Sequence, residues 1–177
     1  MDFPFRLPTF ALLSVLACNL TLISGCRDRG ISPAPVVTEQ AFSIAPEWRL
    51  KDLAGAEVTL SQFKGKVVIV DFWATWCPPC RAEMPFYVNL YKRLANRGLV
   101  IVGISLDAQG PGVVKKFVDS NGITYPIVMG DEDVTAAYKV ELMPSTFVVD
   151  REGRIRHSKI GAVSNEAEFE RLIESYL

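Results

Sequence analysis

Val67-Val68-Ile69-Val70-Asp71-Phe72-Trp73-Ala74-Thr75-Trp76-Cys77-Pro78-Pro79-Cys80 is the stretch whose reading decides the fold. From Val67 to Trp73 it is almost unbroken in apolar, largely β-branched residues. That is the pattern of a central strand covered on both faces. The strand leads directly into two cysteines three residues apart. Pro78 and Pro79 lie between them, and proline at the first helical positions starts a helix without wasting a donor. A helix is therefore expected from about Pro78 to Asn96. Met84, Tyr87, Val88, Tyr91, Leu94 and Ala95 recur at helical spacing, Gly98 can close the end, and Pro85 is expected to kink it. Two cysteines on one helical turn can close a small disulfide ring. The first sits where unpaired backbone N–H groups and the helix dipole favour negative charge, which lowers a thiol's pKa. Cys77 is the expected nucleophile and Cys80 the expected resolving thiol.

Outward from this core the pattern alternates. Trp48-Arg49-Leu50 and Glu57-Val58-Thr59-Leu60 flank Ala54-Gly55 as an N-terminal β-hairpin. Leu99 to Leu106 reads as a second buried strand, and Val113 to Ser120 as a helix ended by Asn121-Gly122. Pro126 to Met129 follows as a short strand and Asp131 to Tyr138 as a short helix. Thr146 to Asp150 and Arg154 to Ile160 form a hairpin around Glu152-Gly153, and Glu166 to Leu177 is an amphipathic helix. Strands alternating with helices and closed by a hairpin imply an α/β fold with a mixed sheet flanked by helices.

The N-terminus bears on the compartment. Arg6 precedes an apolar stretch from Phe10 to Ile23, short for a membrane span and suited to a signal peptide. It ends Leu22-Ile23-Ser24-Gly25-Cys26. Small residues directly before a cysteine resemble the lipobox of bacterial lipoproteins, which makes Cys26 the candidate lipidation site and 1–25 the signal. An uncleaved anchor helix and an ordinary signal cut near Gly25 are the alternatives; all three place the domain outside the cytoplasm. Residues 26–45, rich in Pro and Ser, read as a tether, and 46–177 as one folded domain. The net charge of −1 leaves no basic excess to neutralise phosphates, so a nucleic-acid partner is not expected.

Of four cysteines, Cys18 lies in the signal and Cys26 would carry lipid, so Cys77 and Cys80 alone remain in the domain. One close pair suggests redox chemistry rather than stapling. Structural zinc needs about four ligands, and the domain offers two cysteines and one histidine, His157. Haem attachment needs histidine directly after the second cysteine, where Arg81 stands. A purely structural disulfide would close too small a loop to constrain the chain. No metal and no cofactor are expected.

The strand and the Cys-Pro-Pro-Cys segment resemble the active-site strand and helix of thioredoxins. With the signal, the tether, Glu83-Met84-Pro85 and Met143-Pro144-Ser145-Thr146-Phe147, the chain is similar to the membrane-anchored TlpA/ResA branch, close to the thioredoxins of cytochrome c maturation. The resemblance spans about residues 46 to 177. It implies a thioredoxin fold with an inserted helix and strand at about Gly112 to Met129. It implies that Pro144 is a cis-proline facing the cysteine pair, which would turn the Met143 backbone toward a partner's extended chain; a trans proline starting a strand is the alternative. It places Asp71 beneath Cys80 as a buried proton acceptor, against the plainer reading of a strand-end aspartate in solvent. Glu83 is a candidate for a similar proton role, or else a solvated helix carboxylate. Trp76 would shield the site and contact substrate, or merely pack. His157, among Arg154, Arg156 and Lys159, is expected at the surface.

The function so implied is extracytoplasmic thiol–disulfide exchange, reducing protein disulfides, with apocytochrome c thiols as a possible substrate. A membrane thiol electron donor of the DsbD/CcdA type would recharge the pair. The alternative is a peroxiredoxin-like thiol peroxidase, although the Pro-x-x-x-Thr-x-x-Cys pattern is incomplete because Val70 stands where proline is needed.

Overall fold

The computed structural model describes residues 43–177. The signal, Cys18, Cys26 and nearly all of the expected tether lie outside the described residues. Seven strands form one sheet in the order β2-β1-β5-β4-β3-β6-β7. They are β1 (Arg49–Asp52), β2 (Glu57–Thr59), β3 (Val67–Trp73), β4 (Leu99–Ser105), β5 (Ile127–Met129), β6 (Ser145–Val149) and β7 (Ile155–Ile160). The helices are α1 (Pro78–Leu94), α2 (Pro111–Asn121), α3 (Glu132–Ala137) and α4 (Glu166–Glu174). Strands β3, β4 and β5 run parallel, while β6, β7 and the β1–β2 hairpin run antiparallel to their neighbours. This is the thioredoxin-like mixed sheet expected from the sequence.

The inserted α2 and β5 explain how the hairpin joins the sheet. Strand β5 pairs with β4 on one side and β1 on the other, so the insertion carries the hairpin outward. At the opposite border Ile44 bridges to Arg154 and Ala45 donates to the Gly153 carbonyl at 2.9 Å. The last two residues of the expected tether thus pack on the β6–β7 turn.

Every residue of β3 is buried, and its period of two sorts them between two cores. Val67, Ile69 and Trp73 pack with α1, α4 and both cysteines. Val68, Val70 and Phe72 pack with Trp48, Val134 and Tyr138 on the other face. Asp71 lies on the first face, so its carboxylate shares the layer of α1. Beside it, a side chain at Gly103 on β4 would meet Ile127 Cδ1 at 2.6 Å and Trp73 Nε1 at 2.8 Å. The absence of a Cβ there lets the Trp73 indole and Ile127 approach the β4 backbone.

Helix α1 stays continuous through Pro85, whose ring faces solvent. It ends at Leu94 rather than Asn96. Residues Ala95–Arg97 tighten into a 3-10 turn that closes on Gly98 at φ 106°, a left-handed conformation that favours glycine. Phe86 and Leu90, absent from the expected apolar face, are buried, and Ala95 is not. Among the described residues no helix is long and apolar enough to cross a membrane.

Candidate active site

The site forms where three strand ends meet α1. Phe72 on β3, Ser145 on β6 and Ile160 on β7 stand in one row across the sheet. Beyond that row the chain turns through Ala74-Thr75-Trp76 into Cys77, the N-cap of α1. Cys77 and Cys80 are joined as a disulfide with an S–S distance of 2.01 Å. The Cys80 N–H donates to Cys77 Sγ at 3.3 Å. The prolines supply no N–H, so this one backbone donor inside the turn is the direct support offered to a Cys77 thiolate. Cys80 is 1% exposed and Cys77 4%. Trp76, directly before the nucleophile, is 59% exposed, an unusual setting for tryptophan and one suited to contact with a partner.

The loop ahead of Cys77 is fixed by a residue that sequence reasoning missed. Asp107, buried just after β4, accepts from the Thr75 backbone N–H at 2.9 Å and from the Thr75 hydroxyl at 2.5 Å. It also accepts from the Ser105 hydroxyl at 2.9 Å. A carboxylate with three donors can stay buried at little loss and rigidifies what it holds. Ser-Leu-Asp at the end of a buried strand was the available signal. Arg81 lies with its guanidinium 5.7 Å from the centre of the Phe117 ring.

The Met143–Pro144 peptide is cis, as the resemblance implied. The Pro144 carbonyl accepts from Gly161 N–H at 2.8 Å, and Ser145 Oγ donates to the Leu142 carbonyl at 2.7 Å. Met143 packs against the cluster that contains both cysteines. Exposed Leu142 and Ile160 border this segment.

Between β3 and α1 lies a buried acidic pair. Asp71 is 1% exposed, which removes the strand-end reading. Its Oδ1 accepts from Thr146 Oγ1 at 3.3 Å, and Thr146 in turn bonds Tyr87 OH at 3.1 Å. Burial first, then repulsion from Glu83, holds the Asp71 carboxyl well above the usual range, with the Thr146 bond opposing. Glu83 is 4% exposed, not solvated as its place on a helix allowed. Its Oε2 accepts from Val163 N–H at 3.0 Å, while Oε1 is buried without a hydrogen-bond partner. Burial pushes Glu83 up from 4.5 to about 7, against the Val163 bond and the charge of Lys159. Burial and the two carboxylates also raise the Tyr87 and Tyr125 hydroxyls. Two like-charged groups in one desolvated layer titrate as a pair, which resists carrying two charges.

His157 is half-buried rather than at the surface. Its ring meets Phe169 edge to face with centroids 6.1 Å apart, and burial followed by Lys159 lowers its pKa. Among the described residues no group of three or more His, Cys, Asp or Glu is placed to hold a metal ion.

Comparison with known proteins agrees with this geometry. Residues 43–158 match the AhpC/TSA family model. Over 134 residues the chain is 38% identical to the thiol-disulfide oxidoreductase ResA of Geobacillus kaustophilus, covering 75% of this chain and 76% of that protein. It is 35% identical to the thioredoxin-like protein YneN of Bacillus subtilis over 69% of this chain and 72% of that one. A thiol:disulfide interchange protein of the thioredoxin family from Chlorobium tepidum superposes with a TM-score of 0.70 at 31% identity, covering 76% of this chain and 96% of that structure. With a disulfide-bonded cysteine pair at a helix N-terminus and a match across most of its length, this chain belongs to the AhpC/TSA family, among the thiol–disulfide oxidoreductases of the ResA type.

Proposed function

We propose that this thiol–disulfide oxidoreductase works as a reductant of protein disulfides. The observation that carries the reading is the Cys77–Cys80 pair at the start of α1, backed by the buried Asp71–Glu83 pair. In the dithiol form the Cys77 thiolate attacks a partner disulfide. A Cys77–partner bond forms, the partner's own bond breaks, and its departing thiolate takes a proton. The Cys80 thiol then passes its proton to the carboxylate pair and attacks the Cys77 sulfur. The partner leaves as a dithiol and the Cys77–Cys80 disulfide remains. Trp76, Met143 and Pro144 border the approach, and the cis Met143–Pro144 peptide turns the Met143 backbone toward an extended partner segment.

The direction follows from what surrounds Cys77. A dithiol oxidises its partners when its thiolate is strongly stabilised. Here two of the nearest backbone positions are prolines, and the carboxylate pair opposes a further negative charge once it carries one. The helix dipole and Arg81 act the other way, but Arg81 is exposed and screened. The potential is expected below about −200 mV. Equilibrating the protein with glutathione or dithiothreitol buffers measures it. A value near −120 mV, that of a strong oxidant, reverses the direction.

The compartment and partners follow the N-terminal reading. The protein faces the periplasm or an equivalent extracytoplasmic space, held by lipid on Cys26, and apocytochrome c thiols are the first substrate to try. A membrane thiol donor of the DsbD/CcdA type would supply electrons. Cys26→Ala is expected to lose fatty-acid labelling and retain its signal, with the redox activity unchanged. Equal labelling of both forms rejects the lipid anchor. Consumption of peroxide by the reduced protein would instead support the thiol-peroxidase alternative.

A further inference from the structure

The carboxylate pair is buried, yet a turnover of the kind proposed above must return its proton to water. The structure offers a direction for that traffic. Asp71, Thr146 and Lys159 stand in a single row across β3, β6 and β7. Residues directly opposite one another on paired strands project to the same face. Lys159 therefore points into the layer that holds Asp71 and α1. Thr146 fills the place between them and donates to Asp71. From α1, Glu83 reaches the same region and is tied to the Val163 N–H. Val163 and Lys159 both line a cavity of about 340 Å³ between β7 and α4, together with His157, Asn165, Glu168 and Phe169. Glu83 thus spans from the buried pair to the wall of a cleft that reaches solvent.

We propose that this cleft is the proton port of the redox site and that Lys159 is the positioning residue that governs Glu83 there. The inference rests on the proton role given above to Asp71 and Glu83. The ammonium of Lys159 favours the Glu83 carboxylate, so the pair releases its proton toward the cleft and not toward the sulfurs. The other titratable groups around Glu83 are Asp71 on β3, Tyr87 on α1 and Tyr125 ahead of β5, which all favour its neutral form or are neutral themselves. His157 on β7 is held toward its neutral form by burial, and Glu168 on α4 adds negative charge at the mouth. Among the described residues Lys159 is the cation that lowers the Glu83 pKa. Being half-buried on an edge strand, it can be replaced without opening the core.

The pH dependence of the turnover number in insulin disulfide reduction, measured on the purified full chain from pH 5 to 9, tests the inference. The variants are Lys159→Met, Lys159→Arg and Glu83→Gln. Lys159→Met is expected to move the rising midpoint upward by about half a pH unit or more, because a base that has lost a nearby cation holds its proton longer. Lys159→Arg is expected to keep the wild-type midpoint, and Glu83→Gln to alter it. If Glu83→Gln alters the profile while Lys159→Met leaves it in place, the port and the role of Lys159 fail and the carboxylate role stands. If neither variant alters it, the proton role of Glu83 fails and the inference falls with it. Equal rate losses in both Lys159 variants with no change of midpoint would mean a packing role and would also overturn it.

Discussion

A Cys77→Ser variant is expected to lose disulfide reduction to the uncatalysed background, a fall of ~10³-fold or more as when a catalytic nucleophile is removed. Cys80→Ser is expected to attack once and stop as a stable mixed disulfide. The asymmetry comes from position. Cys77 caps α1, where the terminal N–H groups and the dipole favour a thiolate, and Trp76 brings the surface to it. Cys80 lies one turn inside α1, behind Cys77 and away from the unpaired N–H groups of the helix terminus. Its reach is to the neighbouring sulfur alone, which suits it to resolve an intermediate and not to start one. Insulin reduction, followed with mass analysis of the trapped adducts, separates the two roles. Normal turnover by Cys80→Ser, or alkylation of Cys80 alone at neutral pH, would reverse the assignment. The trapped Cys80→Ser adducts would also name the partners.

The parts of this site that the sequence made legible are those whose chemistry repeats locally. The apolar run of β3, the prolines after Cys77 and the spacing of the cysteines each carry their meaning within a few residues. The strands were readable to within a residue or two for the same reason, whereas the standing of α2 and β5 as an insertion came only from the family resemblance. What escaped depends on contacts between distant segments. Glu83 stands on α1 with Arg81 and Ala82 exposed before it, and nothing nearby shows that Val163, 80 residues on, will bury it. His157 sits among basic residues and looked solvated until Phe169 on α4 closed over its ring. Asp107 lies 32 residues from Thr75, and only the parallel pairing of β3 and β4 brings them together. Asp71 was legible as an anomaly, a charge within an apolar strand. Its coupling to Glu83 was not, because that requires the face of β3 and the rotation of α1 together.

The same coupling sets how the fold responds to pH. Asp71 and Glu83 both have folded-state pKa values raised above their ordinary 3.8 and 4.5. Well below pH 3.8 both groups are protonated in the folded and unfolded chains alike, and burial carries no electrostatic penalty. As pH rises, the unfolded chain releases its protons first. The folded chain then binds more protons than the unfolded one, so stability falls with rising pH. For Glu83 the window runs from 4.5 to about 7. That span corresponds to on the order of 3 kcal/mol, shared with Asp71 because the pair titrates together. Asp71→Asn keeps an acceptor for the Thr146 hydroxyl and removes the charge. It is expected to be more stable than the wild type by about 1–3 kcal/mol at pH 8, with the gain much smaller at pH 4. The gain should come with a loss, since the resolving thiol has surrendered its proton acceptor. Reduction is expected to slow tenfold or more, at the low end of what a positioned acid–base group contributes. Urea unfolding of the oxidised wild type and variant at pH 4, 6 and 8, beside insulin reduction on the same samples, measures both effects. A stability difference that stays constant across the range would mean that Asp71 is not a desolvated acid in the folded protein. A gain in stability with full activity would mean that Cys80 gives its proton elsewhere.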